Sequence, residues 1–220
     1  MRNYFDEQLA LLNTELIEMG ALCEDIIAIT PRALEAGSAS TVKKATPIDA
    51  EIRRKERDIE GLCLKLLLQQ QPVAKDLRQI SAALKMVTDM ERIGDQAADV
   101  AEILSFLSES RSEATPILIG MAKAAMKMVT ESVDDFVKRD IMLAEKVVAD
   151  DDAVDGYFIA VRHSLIDEIA KTSEQGEHAL DLLMIAKYFE RIGDHAVNIA
   201  HWVIFSITGE HRREHNDLVR

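Results

Sequence analysis

The chain contains 220 residues, 48% of them hydrophobic and 30% charged, a balance typical of a soluble globular protein with a sizeable core. Nine glycines, four prolines and an aromatic content of 5% argue against a loop-rich or β-rich fold and favour helices. The formal net charge of −13 argues against binding to nucleic acid or to an anionic membrane surface, and it favours cations or basic partner surfaces.

No segment approaches the roughly 18 to 20 apolar residues of a membrane span, so no direct membrane insertion is expected. The N-terminus lacks a basic stretch followed by an apolar run, which argues against a signal peptide. Cys23 and Cys63 are too few for a disulfide framework and are expected to be reduced thiols. These features together predict a cytoplasmic location.

The first half of the sequence predicts three long helices. In residues 3–36, apolar residues recur at steps of three and four, as on one face of a helix, and Pro31 is expected to kink or frame the last turns. Thr46 as N-cap and Pro47 at the first helical position start a second helix, which reaches about residue 70. After a short turn, a third helix is predicted over residues 73–108.

The second half repeats this plan. Residues 108–112 are small and polar and are expected to join the two halves. Three further helices are predicted over residues 115–137, 140–171 and 176–207, and Gly209 is expected to stop the last one.

The predicted fold class is therefore all-α, with two tandem up-down three-helix bundles related by an internal repeat. Helices of this length joined by short turns are expected to be antiparallel neighbours. The predicted domains are residues 1–109 for the first bundle and 113–208 for the second, followed by a polar C-terminal tail over residues 209–220.

The internal repeat is clearest in one phrase that occurs twice. Glu91 to Asp95 read Glu-Arg-Ile-Gly-Asp, and Glu190 to Asp194 read the same five residues, at an offset of 190 − 91 = 99. The flanking apolar pattern stays in register, so this identity indicates a repeat and not a coincidence.

The repeated phrase places oxygen ligands along a helix. Glu91, Asp95 and Asp99 stand four residues apart, so they share one helix face, where like charges repel. Such an oxygen-rich face suits a hard cation, which coordinates the carboxylates and offsets their charge. The corresponding positions in the second half are Glu190, Asp194 and Asn198, where the amide makes the site less anionic, so tighter binding is predicted in the first half.

The middle helix of each half offers further ligands. Asp49 and Glu56 lie two turns apart on one face, and Asp151, Asp152 and Asp155 occupy the matching place in the second half. The candidate metal ligands are Glu91, Asp95, Asp99, Asp49, Glu56, Glu190, Asp194, Asn198, Asp152 and Asp155, and the candidate ions are iron, manganese and magnesium. Phe158 and Arg53 depart from an acid or amide at these places.

Structural alternatives stay open for the same residues. The Asp150–Asp152 run is also consistent with a solvated helix face, and Arg92 and Arg191 are able to hold the acids in ion pairs without a metal. His195 and His201 are candidates to supplement a site, although surface or packing histidines are favoured.

No catalytic machinery is recognisable in the sequence. There is no glycine-rich phosphate loop before a helix, and neither Ser164 nor the cysteines have a base at motif spacing. The sequence therefore predicts a protein that is not an enzyme.

Three segments resemble the signature of the PhoU family: Gln71 to Arg78 (Gln-Pro-Val-Ala-Lys-Asp-Leu-Arg), Asp89 to Asp95, and Glu190 to Ala200. The similarity extends over about residues 3–208. The resemblance implies paired three-helix bundles that bind metal clusters at these motifs in some members. It also implies negative regulation of phosphate uptake and phosphate-starvation signalling.

The resemblance further implies two partners, the ATPase subunit of the phosphate transporter (PstB-like) and a sensor histidine kinase (PhoR-like). The resulting hypothesis is a metal-binding, homodimeric adaptor at the inner face of the membrane. The alternative is a metal-dependent phosphohydrolase that uses the same carboxylates, with metal-bound water as nucleophile.

Overall fold

The computed structural model describes residues 2–36, 42–70, 72–107 and 112–210, and all regular elements in these ranges are helices. Three long helices from each half form the two up-down bundles, which confirms the predicted fold class. A short 3₁₀ turn, Ser173–Gln175, precedes the last helix. The helices are α1 (Arg2–Ile27), α2 (Ile29–Ala36), α3 (Ala45–Gln70), α4 (Ala74–Phe106), α5 (Thr115–Lys138), α6 (Ile141–Lys171) and α7 (Gly176–Thr208).

The first helix is interrupted, contrary to the prediction of one helix over residues 3–36. Pro31 has no N–H to donate, and its ring would collide with the carbonyl of residue 27, so α1 ends at Ile27. Ala28 still donates its N–H to Glu24 O at 2.9 Å, and α2 then starts at Ile29. Proline therefore divides the helix instead of kinking it.

The predicted start of α3 is wrong by two positions, and two other helix ends follow the prediction. Because α3 begins at Ala45, Thr46 lies inside the first turn and is not the N-cap. Asp140 caps α6 by accepting hydrogen bonds from the N–H groups of Met142 (2.9 Å) and Leu143 (3.3 Å). Gly209 ends α7 with φ = 81°, a left-handed conformation that glycine adopts without a steric penalty.

The two halves share one hydrophobic core. Buried side chains from all seven helices form one continuous cluster, and α4 packs against α7 more extensively than any other pair of helices. The helix α1 also contacts α5 across the halves. The predicted domain limits stay a prediction, since residues 108–111 of the joint and 211–220 of the tail lie outside the described residues.

Glycines of the repeated phrase let two helix pairs come close together. A Cβ atom at Gly94 would lie 2.9 Å from Cδ1 of Ile52, inside normal contact distance, so the absence of a side chain brings α3 against α4. At Gly193 it would lie 3.0 Å from Oδ1 of Asp151 and 3.4 Å from Cγ1 of Val154. The α6–α7 pair is therefore built in the same way as the α3–α4 pair.

Candidate functional site on two carboxylate faces

The close approach at the two glycines sets the correspondence between α3 and α6. Ile52 packs on Gly94 and Val154 packs on Gly193, so these helices are related by an offset of 154 − 52 = 102. We define the first face as Asp49, Arg53, Glu56, Glu91 and Asp95. We define the second face by the equivalent positions, Asp151, Asp155, Phe158, Glu190 and Asp194.

A single arginine holds the first face together. The guanidinium of Arg53 contacts Asp49 Oδ2 through Nε at 3.2 Å, Glu91 Oε1 through Nη1 at 3.5 Å and Asp95 Oδ1 through Nη2 at 2.5 Å. The hydrogen bond to Asp49 and the three negative charges raise the pKa of Arg53, which keeps the group cationic. A positive charge therefore stands between the acids of α3 and α4.

Carboxylate repulsion persists beside Arg53. Burial, followed by the charges of Asp95 and Glu56, raises the pKa of Glu91, and the nearby arginines offset only part of this effect. Arg92 lies 3.8 Å from Glu91 and is mostly exposed, so the ion-pair alternative holds for it only in part. The main cationic partner of these acids is Arg53, which the sequence showed only as a departure from the expected pattern.

An open pocket of about 540 Å³ lies beside the first face. Asp49, Arg53 and Asp95 form one side of it, and Asp99 and Glu102 continue the acidic lining toward the end of α4. Arg53 is exposed to solvent there over 46% of its side chain.

The second face has an acid where the first has its arginine. Asp155 takes the place of Arg53, and Phe158 takes the place of Glu56. The basic group seen at this face is Lys187, which forms an ion pair with Glu190 and lies 5.6 Å from the ring centroid of Phe158.

Three carboxyl groups of the second face have raised pKa values, and no arginine takes the position that Arg53 has in the first face. Burial, then Asp155 and Asp194, raise the pKa of Asp151 from 3.8 to about 7. Burial and Glu190 also raise the pKa values of Asp155 and Asp194, and Lys187 offsets part of each effect. The negative charge of each carboxylate thus favours protonation of its neighbours, because the positive charge nearby is too small to offset the repulsion.

The Asp150–Asp152 run does not act as one unit, because successive helical residues point about 100° apart. Asp150 pairs with Lys127 at 3.1 Å and Lys146 at 3.3 Å, while Asp151 faces Gly193. Asp152 is exposed, as the solvated alternative predicted for the whole run. Asp151, which is not among the predicted ligands, is the acid of the run that joins the second face.

Asp99 and Asn198 are the last predicted ligands on α4 and α7, and both turn toward the α4–α7 interface. Each stands eight residues after the first ligand of its helix, Glu91 or Glu190, and eight residues turn a helix by about 80° beyond two full turns. Both residues therefore point away from the direction of that first ligand. Asn198 donates a hydrogen bond to Asp89 Oδ1 at 3.4 Å, and Nδ1 of His195 lies 2.9 Å from the same oxygen. On the other side, Asp99 contacts Tyr188, whose pKa is raised by burial and by this carboxylate.

The structure thus places seven of the ten predicted ligands on the two faces, and it adds Asp151, Arg53 and Lys187 to them. Of the other three, Asp99 and Asn198 turn toward the α4–α7 interface, and Asp152 is exposed. In the part of the chain that the structure describes, no group of three or more His, Cys, Asp or Glu side chains is arranged so that it could hold a metal ion. The metal assignments therefore stay predictions.

Among the described residues, no helix is long and apolar enough to cross a membrane.

The fold and the paired faces define the class of protein, a doubled three-helix bundle with one carboxylate face in each half. A PhoU-domain family model matches residues 16–104 and 118–203, one match for each bundle. Since these ranges cover most of the 220 residues, the chain belongs to the PhoU family.

Relatives support the same assignment over nearly the full length of the chain. A phosphate-specific transport system accessory protein PhoU homolog of Clostridium acetobutylicum is 31% identical over 211 residues, which are 95% of this chain and 96% of that protein. A homolog of the same name from Synechocystis sp. is 33% identical over 212 residues, 95% and 93% of the two chains. The crystal structure of PhoU from Pseudomonas aeruginosa is 32% identical with a TM-score of 0.88, covering 94% of this chain and 100% of the other.

Proposed function

We propose that this protein is an accessory regulator of phosphate-specific transport that represses phosphate uptake and phosphate-starvation signalling. The observation that carries the proposal is the match of both bundles to the PhoU domain, together with relatives that are named as transport accessory proteins and align over nearly their whole length. We further propose that it works in the cytoplasm as an adaptor between the transporter ATPase and a sensor histidine kinase.

The surface of the protein supports a role carried out through protein partners. Its charge of −13 suits basic partner surfaces and repels anionic lipid headgroups. The outer sides of α6 and α7 expose apolar residues, including Ile166 at 55% and Leu180 at 60% of their surface. Exposed apolar side chains on neighbouring helices are a common feature of protein interfaces, including those of homodimers.

A metal-dependent phosphohydrolase is the second candidate function. It is favoured by one observation, the carboxyl group of Asp151, whose pKa of about 7 is in the range of a general acid or base. Hydrolysis of p-nitrophenyl phosphate by purified protein with Mn²⁺ or Mg²⁺, abolished in Asp151→Asn, would support it. A rate equal to that of buffer with metal would eliminate it.

Deletion of the gene is expected to raise the expression of phosphate-starvation genes in phosphate-rich medium, because a repressing adaptor is lost. A reporter fused to a starvation promoter measures this effect, and a plasmid with the wild-type gene is expected to reverse it. Unchanged expression in a host with an intact kinase and transporter would contradict the regulatory proposal.

We also propose that the second face binds a divalent cation such as iron, manganese or magnesium. Asp151, Asp155, Glu190 and Asp194 would supply hard oxygen ligands, and the ion would offset the repulsion that raises their pKa values. The ion would serve to lock α6 against α7.

Addition of Mn²⁺ is therefore expected to raise the melting temperature of the wild-type protein, because the unfolded chain does not hold these ligands together. The Asp194→Asn variant is expected to lose most of this increase, as measured by differential scanning fluorimetry. An equal increase in both proteins would mean that this face does not bind the ion.

A further inference from the structure

We infer that the guanidinium of Arg53 takes the place of a bound cation in the first face, so that this face does not bind a metal ion. The inference concerns purified protein and does not rest on the proposed regulatory function. It changes the ranking predicted from the sequence, in which the first face was the tighter site.

The geometry of the contacts carries this inference. Each nitrogen of the guanidinium faces a different carboxylate, Asp49 on its own helix and Glu91 and Asp95 on α4. These are the carboxylates that an ion between α3 and α4 would need as ligands. A metal ion would have to displace Arg53 and would then stand beside an arginine that stays charged at every physiological pH.

The comparison between the two halves supports the same conclusion. The position of Arg53 is held by Asp155 in α6, and that face carries several acids of raised pKa, with Lys187 paired to Glu190. The repeat thus has a cationic side chain in one half and an additional acid in the other, at equivalent points of the same helix contact. At this position the first half has a positive side chain, whereas the second half has an acid and leaves the place between the helices for an ion.

The test measures Mn²⁺ bound to the full-length protein by electron paramagnetic resonance, in a background of Asp151→Asn and Asp194→Asn that removes two acids of the second face. In this background, protein with Arg53 is expected to bind little Mn²⁺, and Arg53→Gln is expected to bind it about tenfold or more tightly, because a cation is removed from among three carboxylates. Adding Asp95→Asn to Arg53→Gln is expected to abolish the new site.

The matched control is Arg54→Gln. Arg54 is the next residue and forms ion pairs with Glu51 and Asp58, away from the first face, so its removal is expected to leave Mn²⁺ binding unchanged. Equal binding in Arg53→Gln and Arg54→Gln would overturn the inference.

A second measurement does not require the Arg53 variant to fold. In protein that keeps Arg53 and the wild-type second face, Asp95→Asn is expected to leave the amount of bound Mn²⁺ unchanged. Loss of Mn²⁺ in this variant would show that the first face binds the ion despite its arginine, and would overturn the inference.

Discussion

Replacement of Phe189 by alanine is expected to destabilise both halves of the protein equally, by about 3 to 5 kcal/mol, the usual range for removing a buried phenylalanine. Phe189 lies in α7 and is fully buried in the cluster that continues into the first half. Because α4 and α7 pack closely along this core, the two bundles are expected to unfold in one transition despite their origin as repeats.

The chain provides one probe for each half. Trp202, the only tryptophan, reports on the second half by fluorescence, and Cys23 and Cys63, the only cysteines, lie in the first half. Burial raises the pKa of each thiol to about 12, so a short pulse of a thiol reagent labels them only in unfolded molecules. Urea unfolding followed by both probes is expected to give one midpoint for the wild type and the same shift for Phe189→Ala.

The control is Leu180→Ala, a truncation on the same helix at a residue that is 60% exposed, for which little shift is expected. If Phe189→Ala lowers the tryptophan midpoint and leaves the thiol midpoint in place, the halves unfold as separate domains. The predicted division at residues 109–113 would then describe folding units as well as repeats.

Sequence patterns were sufficient for the architecture because helix periodicity and the exact repeat are local signals. The apolar stripes predicted five long helices within a few residues, and Gly209 ended the last one as expected. The break before Ile29 was missed because a proline near a helix end is compatible with either a kink or a break. Which outcome occurs depends on the packing of α2 against α5, a contact between distant parts of the chain.

The candidate faces were predictable only in part, because the offset between repeats changes along the chain. The phrase in α4 and α7 repeats at 99 residues, whereas α3 and α6 are related by 102. An alignment at 102 pairs Asp49 with Asp151 and Arg53 with Asp155. The sequence pattern places Asp151 at the matching position but outside the predicted ligand set, and it shows Arg53 as a departure and not as the cation of the first face. Lys187 and the turning of Asp99 toward α7 required the three-dimensional arrangement of the helices.

Asp151→Asn is expected to stabilise the protein by about 2 kcal/mol at pH 8, a value that allows for solvent screening at this partly buried group, and by less than half of that amount at pH 5. In the folded wild type the pKa of Asp151 is about 7 against an ordinary value of 3.8, so between these pH values the folded state holds the proton more tightly than the unfolded chain. Its contribution to the free energy of unfolding is therefore fully present below pH 3.8 and is lost as the pH rises from there through 7. Asparagine keeps the shape of the side chain and carries no charge, so this loss disappears. Urea unfolding at both pH values, with EDTA present to remove bound cations, measures the effect.

The neighbouring residue provides a control with the opposite sign. Although burial alone would raise it, the pKa of Asp150 is lowered by the hydrogen bonds from Lys127 and Lys146, so its contribution to stability is present at neutral pH and is lost as the pH falls through its folded pKa. Asp150→Asn is therefore expected to destabilise the protein at pH 8 by up to about 1 kcal/mol, the usual range for ion pairs near the surface. Destabilisation of similar size in Asp150→Asn and Asp151→Asn would show that Asp151 is compensated in the folded protein. The second face would then have no excess negative charge to attract a cation.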